Sequence, residues 1–454
     1  MKRTTKNAIH RKSTLRYALI LGLFFHWGII FSQNSPLPQT WDLQTCINYA
    51  LGNNIRIKTA EANKNAAEVD TKLARASMFP TVSATAGQNI GNYPFARNET
   101  TGTVSSTTTA SGNYGINASW QLFDGGVRLT NIKQADINDE IAQLNISESE
   151  NNIKLAIIQN YLQILYANES LKTFENAVAL SAAQLESNKV QLEVGAVAKS
   201  DVAQWESQLA SDKYQLTNAQ VALDNYRLQL KQLLELDSLE AMNIVLAVPG
   251  DEEVLALLPD KNSIFQTAMS IMPQVKSGEL NTAYSELNIS KAKAGYLPKI
   301  SLQAGTGSGS MYTNTNYNVA TQLKNNWNNT IGFSVSIPIY SNRETKSAVE
   351  KAQIGVETSK LNELSIRKEL YASIETAYLN AFNSQAQYLA AEEKVKSSQA
   401  SYDVMDEQFR LGLKNTIELL TEQNTLVSAQ QQLLQAKYTA LMNRKVLDYY
   451  QGII

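Results

Sequence analysis

The chain has 454 residues, 43% of them hydrophobic and 18% charged, and its 40 basic and 42 acidic residues leave a formal net charge of −2. That length suits about three ordinary domains, or fewer if long helices or barrels absorb the chain. Without a basic excess, nucleic acid is excluded as the main partner.

Residues 1–17 carry Lys2, Arg3, Lys6, Arg11, Lys12 and Arg16 and no acid. An apolar run from Ala18 to Phe31 follows, then Ser32. A basic stretch, a short apolar stretch and a small residue read as a secretory signal peptide over 1–32, too short for a comfortable membrane span. An uncleaved anchor is the other reading. Cleavage near Ser32 would remove six basic residues and both histidines, His10 and His26, leaving a distinctly acidic chain.

A mature chain without histidine has no Ser-His-Asp triad, no Cys-His pair and no His-ligated zinc. Cys46 is the single cysteine, so no intrachain disulfide can form, and its apolar-periodic surroundings mark it as core. No cofactor or metal site is expected. Carboxylate-only catalysis, as in a secreted carbohydrate-active enzyme, is compatible with the composition but has no dense acid-aromatic cluster to support it.

The chain reads as an internal duplication. Met78-Phe79-Pro80-Thr81-Val82 aligns with Tyr296-Leu297-Pro298-Lys299-Ile300 at an offset of 218. Past the next loop the offset is 217, which superposes Leu122-Phe123-Asp124 on Ile339-Tyr340-Ser341, Tyr161 on Tyr378, Gly195 on Gly412 and Arg227 on Arg444. Slippage by one residue within a polar loop is what two copies of one unit should show; a solenoid would need a shorter period. The expected organisation is a first repeat over 33–236, a linker over 237–259 and a second repeat over 260–454.

Each repeat opens with a helical stretch, 42–76 or 260–294, stopped before a proline. Strand pairs follow, over 81–90 and 113–123, then 299–308 and 329–340. Period-two alternation puts Ile116, Ala118, Trp120 and Leu122 on one face, and likewise Ile331, Phe333, Val335, Ile337 and Ile339. The intervening stretches 91–112 and 309–328 read as polar loops with scattered aromatics, among them Tyr93, Phe95, Tyr312, Tyr317 and Trp327. Such loops suit the outer end of a membrane barrel; an ordinary soluble sheet with decorated turns is equally compatible with the strands.

Helical hairpins come next, over 126–235 and 343–450. Their first arms run some sixty residues without proline, which at 1.5 Å per residue is roughly 95 Å. Asp124 and Ser341-Asn342 are candidate caps where strand becomes helix, and Gly195 and Gly412 are candidate left-handed stops at the turns.

This order resembles the TolC-like outer-membrane efflux family over essentially the whole mature chain. The resemblance rests on the Phe79-Pro80 and Leu297-Pro298 junctions, on Leu122-Phe123-Asp124-Gly125-Gly126-Val127-Arg128 with its echo Pro338-Ile339-Tyr340-Ser341-Asn342-Arg343, and on the turns Leu192-Glu193-Val194-Gly195 and Phe409-Arg410-Leu411-Gly412. It implies an α+β membrane protein: long antiparallel helical hairpins forming an α-barrel or coiled coil, plus four β-strands contributed to a trimeric 12-stranded outer-membrane β-barrel. Four strands cannot enclose a pore, and open edges are forbidden in lipid.

The implied function is a passive exit duct of a tripartite efflux or type I secretion system. Its partners would be two further copies in a homotrimer, a periplasmic adaptor (membrane fusion) protein, an inner-membrane pump and outer-membrane lipid. A trimeric coiled-coil adhesin or structural spacer of the envelope is the alternative, although such proteins keep their barrel strands together at one end. By resemblance, Gly195, Ala196, Val197, Gly412 and Leu413 form adaptor-contacting tips, while Asp201, Glu418, Lys414 and Ser200 form a periplasmic entrance in which Lys414 reaches Asp201 of the adjacent hairpin. Phe409 lacks the hydroxyl of a gating tyrosine, and Thr421 stands where a second acid can occur. The two acids also suit plain charges near helix N-termini. Ile116, Trp120, Leu122, Ile331, Phe333, Val335 and Ile337 would face lipid.

Overall fold

The computed structural model describes residues 38–97, 100–237, 242–313 and 318–453. The signal-peptide expectation, both histidines and Tyr317 lie outside these residues. The chain divides into two units. In the smaller, Trp41 and Ile244 form a parallel bridge in which the Trp41 N–H donates to the Asn243 carbonyl at 2.9 Å. The larger comprises 42–241 and 245–454 and carries every element described below.

The first helical stretch is two helices, α1 (Leu43–Asn53) and α2 (Ile55–Ala76). The sequence suggests one. Asn54 breaks it: the residue is extended, its Oδ1 accepts the Arg56 N–H at 2.9 Å, and its Nδ2 donates to the Leu233 carbonyl at 2.9 Å. A polar side chain that caps a new helix competes with continuing the old one.

Strands β1 (Thr81–Arg97) and β2 (Val104–Phe123) lead to the 67-residue α3 (Val127–Glu193) and the 35-residue α4 (Lys199–Leu233). A short α5 (Asp251–Val254) precedes α6 (Lys261–Ile271) and α7 (Pro273–Lys293), again two helices where one was expected. Here Met272 is held extended by the proline that follows it. Then come β3 (Lys299–Thr313), α8 (Val319–Asn325) and β4 (Asn328–Ser336). The 67-residue α9 (Glu344–Arg410) and the 35-residue α10 (Thr416–Tyr450) complete the unit, matching α3 and α4 in length. At 1.5 Å per residue the long arms measure about 100 Å.

The junctions into the long helices differ. Asp124 caps α3 as expected, accepting the Gly126 and Arg128 N–H groups at 3.1 Å each and pairing with the Arg128 Nε at 3.1 Å. Gly125 and Gly126 both take positive φ there, +75° and +89°. In the second copy Asn342 and Arg343 occupy the same left-handed conformations, at +46° and +65°. No side chain caps α9, contrary to the expectation for Ser341-Asn342; Ser341 offers only its carbonyl, to Glu344 N–H.

The strands form one antiparallel sheet in the order β1-β2-β3-β4. Most of the first predicted loop is in fact strand, since β1 runs on to Arg97 and β2 starts at Val104; in the second, β3 reaches Thr313 and α8 occupies Val319–Asn325. The Thr, Ser, Asn and Gly residues of these strand extensions lack an apolar alternation, so the pattern that marks a half-buried strand is missing while the pairing is not. Strand β4 instead stops early, before Pro338, which cannot donate to a ladder, leaving Ile337 and Ile339 outside the sheet.

Apolar packing holds the helices. Ile264, Ala268, Met272 and Val275 of α6–α7 meet Leu370, Ile374, Ala377 and Ala381 of α9 and Leu447 of α10. Each large side chain so buried contributes about 1.5–3 kcal/mol. The seam between the two hairpins is bridged by neutral groups. Gln208 of α4 and Asn424 of α10 exchange two amide bonds, at 3.0 and 3.1 Å, and the Ser170 hydroxyl of α3 donates to Gln431 Oε1 of α10 at 2.7 Å. Among the described residues no ion pair joins the two hairpins. No helix among them is long and apolar enough to cross a membrane.

Candidate functional site

The pairing register sorts the sheet into two unlike faces. One carries the rows Trp120–Leu302–Phe333, Val82–Ala118–Ala304–Ile331 and Ala84–Ile116–Thr306–Asn329. The other carries Thr81–Ser119–Gln303–Gly332 and Ser83–Asn117–Gly305–Thr330. Paired residues of an antiparallel ladder share a face, so Ile116, Trp120, Ile331, Phe333 and Val335 stand together on the apolar one. The Trp120 Nε1 donates to the Met78 carbonyl at 2.8 Å, tying the indole to the end of the strands nearest the helices.

Two expected members of that face fall elsewhere. The register shifts between Gln121 and Phe123, so Phe123 stands opposite Ile300 and Leu122 is left unpaired at a bulge. Ile337 lies one residue past the end of β4. The apolar face is exposed in the single chain: Ile331 is 80% accessible and Phe333 64%.

At the far end of the helices, the two hairpin turns share one geometry. Gly195 has φ +74°; its N–H donates to the Leu192 carbonyl at 3.0 Å and the Ala196 N–H to that of Gln191 at 2.8 Å. Gly412 has φ +71°, with matching bonds from Gly412 to Phe409 and Leu413 to Gln408, both 2.9 Å. These are paired Schellman stops, which a left-handed glycine makes cheaply. Between the turns lies an open cleft of about 930 Å³ lined by Gly195, Ala196, Val197 and Asp201 from one hairpin and by Phe409, Arg410, Gly412 and Lys414 from the other. Beneath it Trp205 is fully buried among Leu185, Val202 and Leu419.

The charged residues of the tips are arranged differently from the expectation. Lys414, just before α10, donates from Nζ to Glu418 Oε1 in the first turn of that helix at 2.7 Å, rather than reaching Asp201 within the chain. Glu418 also accepts the Asn415 N–H at 3.1 Å, while Asn415 Oδ1 accepts the Glu418 N–H at 3.0 Å, a reciprocal capping box. The Lys414 ammonium, and after it the Asn415 N–H, hold the Glu418 carboxyl below the ordinary glutamate range. Asp201 accepts the Ala198 N–H at 3.0 Å and faces the cleft. Ser200 and Leu413 are exposed and Glu418 is half-buried, and none of the three lines the cleft.

Sequence reasoning singled out Leu413, which is 70% exposed, but missed the apolar residues near it at the turns: Val194 is 77% exposed, Leu411 65% and Ile417 60%. The signal was present, since Val-Gly and Leu-Gly-Leu put apolar side chains around each helix-stopping glycine, where packing cannot cover them.

Residues 46–235 and 265–452 match the outer membrane efflux protein family. The chain belongs to that family. It is 26% identical over 94% of its length to the outer membrane protein TolC of Salmonella enteritidis, covering 85% of that protein. It is 22% identical over 91% of its length to the outer membrane efflux protein BepC of Brucella suis, covering 86%. The crystal structure of CusC shares the fold at TM-score 0.77 and 19% identity, with 90% of this chain and 91% of that one aligned. This efflux-family chain is therefore an outer-membrane channel protein with a helical part on the periplasmic side. Channels of this family work in tripartite systems with adaptor and pump partners.

Proposed function

We propose that three copies close one 12-stranded barrel in the outer membrane and that their hairpins together form a periplasmic tunnel. The observation that carries this reading is the two-faced sheet. One face is apolar and uncovered, the other polar, and β1 and β4 are edges with no second partner strand among the described residues. Lipid tolerates neither open edges nor a polar outer face, whereas a closed barrel resolves both and turns Ser83, Asn117 and Thr330 toward water. In this reading Ile116, Trp120, Ile331, Phe333 and Val335 face lipid. The protein acts as a passive exit duct, and the exposed Val194, Leu411, Leu413 and Ile417 around Gly195 and Gly412 are where a periplasmic adaptor docks. Asp201, with the Lys414–Glu418 pair, lies at the periplasmic entrance. Membrane fractionation followed by crosslinking in detergent tests the proposal: a crosslinked trimer from the outer membrane is expected, and a monomeric soluble protein would overturn it.

A further inference from the structure

The two free edges of the sheet are unequal. β4 has nine residues, all paired with β3 between Lys299 and Gly307, while β1 has seventeen. A strand of about 9–11 residues spans a bilayer, so β4 is just long enough for lipid and no longer. Whatever the register of closure, at least eight residues of β1 in the next copy find no β4 opposite them.

Above Gly307, the edge that β4 abandons is taken over by α8. Gln322 accepts the Met311 N–H through Oε1 at 2.7 Å and donates from Nε2 to the Met311 carbonyl at 2.9 Å. One side-chain amide thus reproduces the two-bond exchange of an antiparallel pair. Asn326 Nδ2 donates to the Gly309 carbonyl at 2.7 Å, and the Ser308 hydroxyl to the Leu323 carbonyl at 2.5 Å. β1 is itself irregular further out, beyond the Asn89–Ser111–Met311 row. Pro94 has no N–H to offer, and the β1–β2 register shifts between Tyr93 and Ala96.

We propose that α8 of one copy sits against the outer part of β1 in the next copy, taking the place of the strand that β4 does not supply. The inference rests on the threefold closure proposed above. Apolar side chains are available on both sides: Val319 opens α8 and Trp327 follows it, 47% and 62% exposed, and Tyr93 and Phe95, 57% and 86% exposed, top β1. Their mutual burial seals the rim where hydrogen-bonded strand pairing ends.

Cysteine crosslinking in the full-length membrane protein tests this. Cys46 is buried, and burial pushes its thiol up to about 12, so it does not compete. Thr321→Cys and Lys324→Cys on α8 are each combined with Asn92→Cys or Phe95→Cys on β1, all at exposed positions. The control joins Thr330→Cys on β4 to Ser83→Cys, Thr85→Cys or Gly87→Cys on β1. Oxidation should give dimer and trimer bands from at least one α8 pair and from the control, and Gln322→Ala should cut the α8 yield several-fold while sparing the control. If the control links and no α8 pair does, α8 lies elsewhere and the inference falls, while the barrel stands. If neither links, the threefold closure fails and takes the inference with it.

Discussion

Lys414, just before α10, and Glu418, in its first turn, neutralise each other 2.7 Å apart. The two residues should therefore act on ion flow with opposite sign. In planar bilayers Lys414→Ala unmasks the carboxylates that the proposed trimer would gather near its axis, so cation selectivity and multivalent-cation block should rise. Glu418→Ala leaves an uncompensated ammonium and lowers both, and the double variant returns close to the parent. Changes of the same sign in both single variants would move the entrance away from this pair.

The apolar face should discriminate between neighbours on one strand. Phe333→Arg puts a charge on the face carrying Leu302 and Trp120, at a cost of about 2–4 kcal/mol if it lies at the bilayer midplane. Ser334→Arg, on the opposite face with Gln121 and Ser301, should assemble and only alter conductance. Trimer yield from the outer membrane is the measurement, and equal yields would show that this strand does not face lipid.

Arg343 should be improvable. It holds φ +65° where the first copy has a glycine, and a non-glycine residue in that region costs roughly 1–2 kcal/mol. Arg343→Gly is expected to stabilise the protein by about 1 kcal/mol, net of the exposed Arg343–Glu350 pair. Gly126→Ala, with φ +89° and open space around an added Cβ, should cost a similar amount for the backbone alone. Thermal unfolding of the extracted protein in parallel scans checks both.

Asp212 of α4 is buried, bonded by Gln208 at 2.8 Å through one oxygen, while its other oxygen has no donor in bonding geometry. Burial pushes its carboxyl above the ordinary aspartate range, outweighing the opposite pull of the nearby Ser181 hydroxyl and of the Gln208 amide. The folded state thus holds the proton more tightly than the unfolded one. Its contribution is most favourable below the unfolded value and declines as pH rises from about 3.9 toward the folded value. Asp212→Asn should therefore raise the unfolding temperature at neutral pH and change it little near pH 4. A variant less stable at neutral pH would mean that the charge is satisfied after all.

Helix lengths, hairpin turns and the two-faced sheet were legible in the sequence because each leaves a local mark. Glycines stop α3 and α9, proline-free runs sustain them, and Ile331, Phe333 and Val335 alternate with polar neighbours. The outer halves of β1 and β2 were not legible, since a strand with water on both sides has no reason to alternate. The β2 bulge hid the displacement of Leu122, and Pro338 ends a strand that an apolar alternation alone would carry to Tyr340. At the tips, sequence placed Asp201, Lys414 and Glu418 close together but paired Lys414 with Asp201 of the adjacent hairpin, whereas within the chain it meets Glu418. The capping box between Asn415 and Glu418 turns the chain just before α10 back over its first turn, which sets Lys414 beside Glu418 without a second element to position it.

The seam through Gln208–Asn424 and Ser170–Gln431 has a consequence for where such a channel can live. Small ions pass freely through an outer membrane that holds open pores, so the periplasm shares the salinity of the surrounding water. Attraction between exposed charges reaches about 30 Å at 0.01 M salt but only about 3 Å at 1 M. Amide and hydroxyl bonds have no such dependence. Two hairpins joined by uncharged groups keep the same grip on each other from fresh water to brine.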